Sequence, residues 1–372
     1  MNKLIDNATV TKAAMAAIVA IAAMSGTSAA LAQSQVTMYG IIDTGVEYVT
    51  NANAAGNSVV RIPSLTGTFP SRIGFKGTED LGGGLQAMFV LENGFAPDTG
   101  SMGQGNRLFG RQSYVGLKNS YGAIMFGRQV NMTYLASLKS DVMGPNIFSI
   151  SSLDSYLPNA RSDNAIGYLG TFAQFTVGAT YSFGRDNSSA GGPAATGCAG
   201  EIAGDSKACR QVTGLLAYDA ASFGVASAYD ILYGGPGAAA GLTNSSYHDQ
   251  RISLNGYVIF GQTKIGGGLI DRKIQAATAT HSDLYYLGVS YPFANYWILD
   301  AQVSRLKIKD TAKVSTLSVA RLTYNLSKRT ALYTSLGYIQ NSGSAAVALD
   351  AGGTVGTGLN QAGVMSGIRH TF

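Results

Sequence analysis

The sequence predicts an all-β fold, a 16-stranded antiparallel transmembrane β-barrel, and three observations carry that prediction. Segments that alternate apolar with small or polar residues recur along the whole length after residue 32. Their connections are by turns short and long, and the last alternating run, from residue 358, stops on an aromatic, Phe372. A strand with one face on lipid and one on a wet lumen must change character at every residue, because successive side chains point to opposite faces.

The N-terminus sets the compartment. Residues 1–32 carry Lys3 and Lys12, an apolar run from 13 to 24, and Ala30-Leu31-Ala32, the small-x-small pattern of a cleavage site. The reading is a cleaved signal peptide over 1–32 and a mature domain over 33–372. An apolar run of about a dozen residues falls short of the roughly 20 that a spanning helix needs. After Ala32 no long uninterrupted apolar stretch follows, so a membrane protein of this sequence has to be a barrel.

Composition agrees. The chain has 48 Gly, 8 Pro, 20 Tyr, 14 Phe and 1 Trp, and its 13% of charged residues is low for a soluble surface. An exported soluble β-sandwich is the reading that composition alone leaves open. Without Lys3, Lys12 and Asp6 of the leader, the 26 basic and 21 acidic residues become 24 and 20, a net of +4. That excess is too slight to imply nucleic acid as a partner. Cys198 and Cys209, eleven positions apart in a Gly, Ala and Ser-rich stretch, are expected to form one disulfide in an exported chain. With no His beside them they do not read as a zinc site, and neither a metal nor a cofactor is expected.

In chain order the predicted strands are 36–50, 70–79, 84–95, 107–118, 122–131, 161–171, 172–183, 211–219, 222–233, 249–260, 262–273, 283–292, 296–309, 313–326, 330–340 and 359–372. An even number lets the barrel close with both termini on one side. One set of connections is short: 80–83, 119–121, the junction near 171, 220–221, the junction near 261, 293–295 and 327–329. The other set is long: 51–69, 96–106, 132–160, 184–210, 234–248, 274–282 and 341–358, with 310–312 as the short exception. Short periplasmic turns and long extracellular loops are the sorting that outer-membrane barrels show. Aromatics gather beside the short turns, at Phe172, Phe175, Tyr257, Phe260, Tyr291, Phe293, Tyr296 and Trp297, as an interfacial belt requires. A general preference of aromatics for strands is the alternative, and the clustering at strand ends favours the belt over it.

Function is sought in the lumen. Arg72 and Lys76 share one face of their segment, which predicts that both point inward. Arg111 falls in phase with Ser113. The connection 132–160 holds Lys139, Asp141, Phe148, Asp154 and Tyr156, and a loop of that length in a compact fold is usually functional. Folded into the barrel, it would set Asp141 and Asp154 across a narrow gap from Arg72, Arg111 and Arg161. Opposed charges of this kind order water and favour polar solutes.

The residues Ser71-Arg72-Ile73-Gly74-Phe75-Lys76-Gly77-Thr78-Glu79-Asp80-Leu81-Gly82, Tyr114-Val115-Gly116-Leu117, Phe126-Gly127-Arg128-Gln129, Arg161-Ser162-Asp163-Asn164, Leu326-Ser327-Lys328-Arg329-Thr330 and Gly367-Ile368-Arg369-His370-Thr371-Phe372 resemble those of general porins of the β-proteobacterial type. The resemblance runs over the whole mature chain. It implies a homotrimer of sixteen-stranded barrels in which loop 3 folds inward to make the eyelet. It places the basic wall on Arg72, Arg111 and Arg161, joined by Arg128, to which the shared face with Arg72 adds Lys76, and Phe372 is read as the signal for the barrel-assembly machinery. The Pro-Glu-Phe-Gly-Gly loop signature of enteric porins is absent, so Asp141 and Asp154 are assigned to the acidic side by position.

A passive diffusion pore of the outer membrane is therefore expected, conducting small hydrophilic solutes and ions among outer-membrane lipid and lipopolysaccharide, with a mild preference for anions. Catalysis is not expected. The three histidines, His248, His281 and His370, lie at loop edges or on the lipid phase, and in Tyr247-His248-Asp249 adjacent side chains diverge. The alternative is a substrate-specific channel, for sugars or organic anions, or an adhesion barrel whose long loops bind a partner.

Overall fold

The computed structural model describes residues 35–185, 197–239 and 241–372, so the leader read over 1–32 lies outside the described residues. The strands are β1 (Gln35–Val49), β2 (Val59–Arg61), β3 (Arg72–Gly82), β4 (Leu85–Gly94), β5 (Gln112–Asn119), β6 (Gly122–Val130), β7 (Arg161–Phe172), β8 (Phe175–Ser182) and β9 (Gln211–Asp219). They continue with β10 (Phe223–Tyr233), β11 (His248–Phe260), β12 (Thr263–Gln275), β13 (Thr280–Phe293), β14 (Trp297–Ile308), β15 (Val314–Asn325), β16 (Thr330–Ser342) and β17 (Gln361–Thr371). All but β2 form the wall, each antiparallel to its neighbours, and β2 pairs only with the end of β1 inside the first long loop.

β1 closes the barrel by pairing with β3 through its first half and with β17 through its second, from Ile41 opposite Thr371 to Val49 opposite Gly363. At this seam the Gly40 amide donates to the Phe372 carbonyl at 3.0 Å and the Phe372 amide returns a bond to Gly40 at 3.1 Å. The Phe372 ring lies over Gly40, where any Cβ would collide with it.

Each predicted segment matches one wall strand, and the differences are local. β5 begins at Gln112 rather than 107, because the residues before it belong to the loop, whose helical turn over Gly103–Asn106 takes the Arg107 amide. β13 starts three residues earlier than predicted and β12 ends two later, so the connection between them is short. The alternation is plain in β16, where Ala331, Tyr333, Ser335 and Ile339 are buried while Leu332, Leu336 and Tyr338 are exposed on the outer face. Exposed Phe172, Phe175, Phe223, Phe260, Tyr291 and Tyr296 ring the short-turn end.

The third long loop runs inside the barrel. A helical turn, Met132–Ser137, capped by Asn131, packs on inward-facing Leu215, Ala217 and Ala228 of β9 and β10. Ser140 then reaches Tyr286 of β13 (2.7 Å), and the Met143 carbonyl accepts from Arg321 of β15 (3.1 Å). Gly266 of β12 admits this passage, since a side chain there would strike the Ser140 carbonyl. Ile147 and Phe148 join a buried cluster with Ile339 of β16, Met365 of β17 and Leu349. The loop returns past β11 and β10 to Arg161, where β7 begins.

Candidate functional site

One wall of the lumen carries Arg72 and Arg111 with Glu92 between them. β3 and β4 pair Gly74 with Glu92, so Glu92 shares the inward phase of Arg72 and Lys76. Its carboxylate lies 2.7 Å from Arg111 Nε, 3.6 Å from Arg72 Nε, and accepts the Tyr39 hydroxyl at 2.9 Å. Lys76 stands one step along β3, its Nζ 5.4 Å over the Tyr39 ring. Arg161 is fully buried behind Arg111. Its Nε donates to the Arg111 carbonyl at 2.9 Å and its Nη1 to the Pro158 carbonyl at 3.3 Å, and among the described residues no carboxylate pairs with it. Arg128 holds Asp163 and the Gly110 carbonyl, bracing β6 to β7 at the point where their register shifts.

The far wall binds the loop. Arg251 of β11 grips Asp154 with Nε and Nη2 at 2.9 and 3.2 Å and holds Asp249 at 3.0 Å. Arg272 of β12 bonds Asp249 at 2.8 Å and stands 3.8 Å from Asp154. Tyr156 is stacked between the guanidinium groups of Arg185 (4.6 Å) and Arg251 (4.2 Å), and its hydroxyl bonds Asp230. Burial, with the Asp230 charge, pushes the Tyr156 hydroxyl up, so it stays a donor. Burial would raise the carboxyl of Asp154 too, but Arg251 and Arg272 outweigh it and hold it down to about 2. Arg321, paired with Asp300 at 2.8 Å, ties down the Met143 carbonyl.

This geometry corrects the expected opposition of charges. Asp154 does not face Arg72, Arg111 and Arg161. The returning leg of the loop runs along β11, where Arg251 offers two parallel donors that match a carboxylate. Asp141 also stands apart from that cluster. It lines a cavity of about 110 Å³ on the short-turn side of the loop, and Arg111 lines one of about 250 Å³ on the long-loop side. The two cavities share Pro145, Ser151 and Pro158, the loop edge that separates them. The larger one meets the loop at Pro145, Asn146, Ser151, Ser155, Pro158 and Asn159, so Arg111 is the one charged group lining it among the described residues. Burial pushes the Asp141 carboxyl up to about 6, more than its hydrogen bonds and Arg321 pull it down. Positive and negative groups are thus offset along the passage rather than opposed across it.

Cys198 and Cys209 are bonded, their Cα atoms 5.3 Å apart. Among the described residues one group has the make-up of metal ligands, Asp271, His281 and Asp283 near the long-loop ends of β12 and β13. The Lys309 ammonium already stands 3.1 Å from His281, 3.5 Å from Asp271 and 3.1 Å from Asp283, and supplies their counter-charge.

The residues missed in the sequence are Glu92, Tyr39, Arg251, Arg272, Asp249, Asp230 and Arg321. A signal was present for most of them, since each is a polar or charged group in mid-strand on the phase opposite to the lipid-facing residues.

The sequence pattern of the Gram-negative porin family matches residues 14–344. Outer membrane porin protein 32 of Delftia acidovorans is 31% identical over 95% of this chain and 99% of its own length. An outer membrane porin protein of Bordetella pertussis is 33% identical over 74% of this chain and 72% of its own. Among solved structures, an anion-selective porin from Comamonas acidovorans superposes with a TM-score of 0.75 at 28% identity, covering 91% of this chain and all of its own. OmpT of Vibrio cholerae in its trimer form shares the fold, with a TM-score of 0.65 at 17% identity over 91% of this chain and 99% of its own.

Proposed function

The chain belongs to the Gram-negative porin family, and from that premise we propose how its lumen selects solutes. It is a multi-pass β-barrel of the outer membrane and a diffusion channel, and family and fold point to a channel rather than an enzyme. In our reading the loop 132–160 is the constriction, and solutes pass between its Pro145 to Asn159 edge and the wall bearing Arg72 and Arg111. Two guanidinium groups around one carboxylate leave one positive charge beside the passage, with Arg161 adding another from behind. The loop edge offers nothing to cancel them. Anions are favoured mildly, because water in the lumen and mobile salt screen each charge over roughly 8 Å at physiological ionic strength.

The observation that carries this reading is Arg111 as the one charged group, among the described residues, lining the cavity that borders the loop on its long-loop side. Its agreement with the anion-selective relative supports it. The working unit is a homotrimer, a reading supported by the trimer form of OmpT from Vibrio cholerae. Export by cleavage after Ala32 and reading of Phe372 by the barrel-assembly machinery complete the proposal, the latter supported by the place of the Phe372 ring at the barrel seam. The test is conductance of the purified mature protein in a planar lipid bilayer. Large steps grouped in threes are expected, and folded protein that conducts nothing would return the enzyme or adhesion readings.

A further inference from the structure

A third cavity, of about 160 Å³, opens on the short-turn side of the helical turn Met132–Ser137, between the loop and β7 to β11. Its wall is apolar, formed by Leu135, Leu138, Leu169, Leu215, Ala217 and Ala226. That is unusual in a barrel lumen, which is ordinarily polar because it is wet. Seating the helical turn explains part of it, since Met132 and Ala136 pack on Leu215, Ala217 and Ala228. It does not explain Leu138, which remains 48% exposed at the cavity edge.

The cavity has a charged margin. Lys139 Nζ is 2.7 Å from Asp219, the Tyr257 hydroxyl donates to the same carboxylate at 2.9 Å, and Lys264 Nζ stands 5.0 Å from the centre of the Tyr257 ring. Lys139 is thus paired with the one carboxylate that lines the cavity, and Lys264, beside the Tyr257 ring with Asp141 as its counter-charge, brings a second ammonium to the margin of the apolar wall. Lys139 is mostly exposed, so an anion can reach its ammonium beside Asp219. In size the cavity resembles the engineered apolar cavity of about 150 Å³ that takes up benzene.

We propose that this cavity is a binding subsite for monocarboxylates that carry a single aromatic ring. The ring lies among Leu135, Leu138 and Leu215, and the carboxylate meets Lys139, with Lys264 next to it along the Tyr257 ring. Apolar burial supplies the affinity and the lysines choose the sign of the solute. The subsite rests on the channel reading and deepens it, giving a general pore a foothold for one class of organic anion on its periplasmic side.

The experiment is a calorimetric titration of sodium benzoate into the full mature protein in lipid nanodiscs, with potassium chloride conductance recorded on the same preparation. Benzoate is expected to bind, acetate (no ring) and benzyl alcohol (no charge) to bind at least tenfold more weakly. Ala217→Leu, which fills the cavity, and Lys139→Gln should each weaken benzoate by about tenfold. Leu138→Gln alters an exposed side chain that cannot overpack the wall, and it should weaken benzoate also if Ala217→Leu does not fold. Absence of benzoate binding by a conducting protein, or equal binding by these variants, overturns the subsite. Loss of conductance in the unmodified protein would instead count against the channel reading.

Discussion

Two walls of this lumen carry pairs of arginines, and they do opposite work. Arg72 and Arg111 share a single carboxylate, Glu92, and Arg111 lines an open cavity. Arg251 and Arg272 share two, Asp154 and Asp249, and Arg251 is covered by the loop. The first group holds one guanidinium more than it has carboxylates, with Arg72 partly exposed, and the second is neutral and serves as an anchor. The number of arginines therefore says little about selectivity. What decides is the number of acids among them and whether the loop lies over them.

Breaking the anchor should produce the largest effect. Arg251→Met leaves Asp154 and Asp249 buried with Arg272 alone, and removing one partner of a buried pair costs about 3–5 kcal/mol. The returning leg of the loop should detach, seen as gating noise in single-channel records and as protease cleavage between residues 150 and 160. A quiet channel with an intact loop would deny the anchoring role. Acid tests the same tether without mutation. Because Asp154 is held down to about 2, its contribution is full above the unfolded value of about 3.9 and is lost as pH falls through about 2. Recordings at pH 4 should be as quiet as at pH 7, with noise rising only near pH 2.

The open wall gives smaller, electrical effects. Glu92→Gln raises its surplus from one charge to two, so the reversal potential in a salt gradient should move further toward anions, more strongly at low salt. Movement toward cations would contradict the assignment. The smallest effect belongs to Asp141. Its carboxyl, pushed up to about 6, is charged above that pH and neutral below it. Lowering pH from 7.5 to 5 should therefore increase anion preference slightly, and Asp141→Asn should abolish that change.

The same contrast shows what the sequence made legible. The sixteen wall strands could be read because lipid on one side and water on the other impose a period of two on every strand. β2 could not, being three residues in a polar loop whose only reason to extend is pairing with β1. Arg72 and Lys76 could be placed on the lumen by phase, and Glu92 was readable in the same way, one strand over. The course of the loop was not, because nothing local in 132–160 encodes where it lies. Asp154 finds Arg251 across 97 positions of sequence, and only the closed barrel brings the two together.

The central claim is that the Arg72 and Arg111 wall sets the sign of selectivity, and the reversal potential in a tenfold potassium chloride gradient tests it most directly. The unmodified channel should favour anions, and the double variant Arg72→Ser with Arg111→Ser, which leaves Glu92 to offset Arg161 alone, should lose that preference. An unmodified channel that favours cations, or a double variant whose potential does not move, would contradict the account.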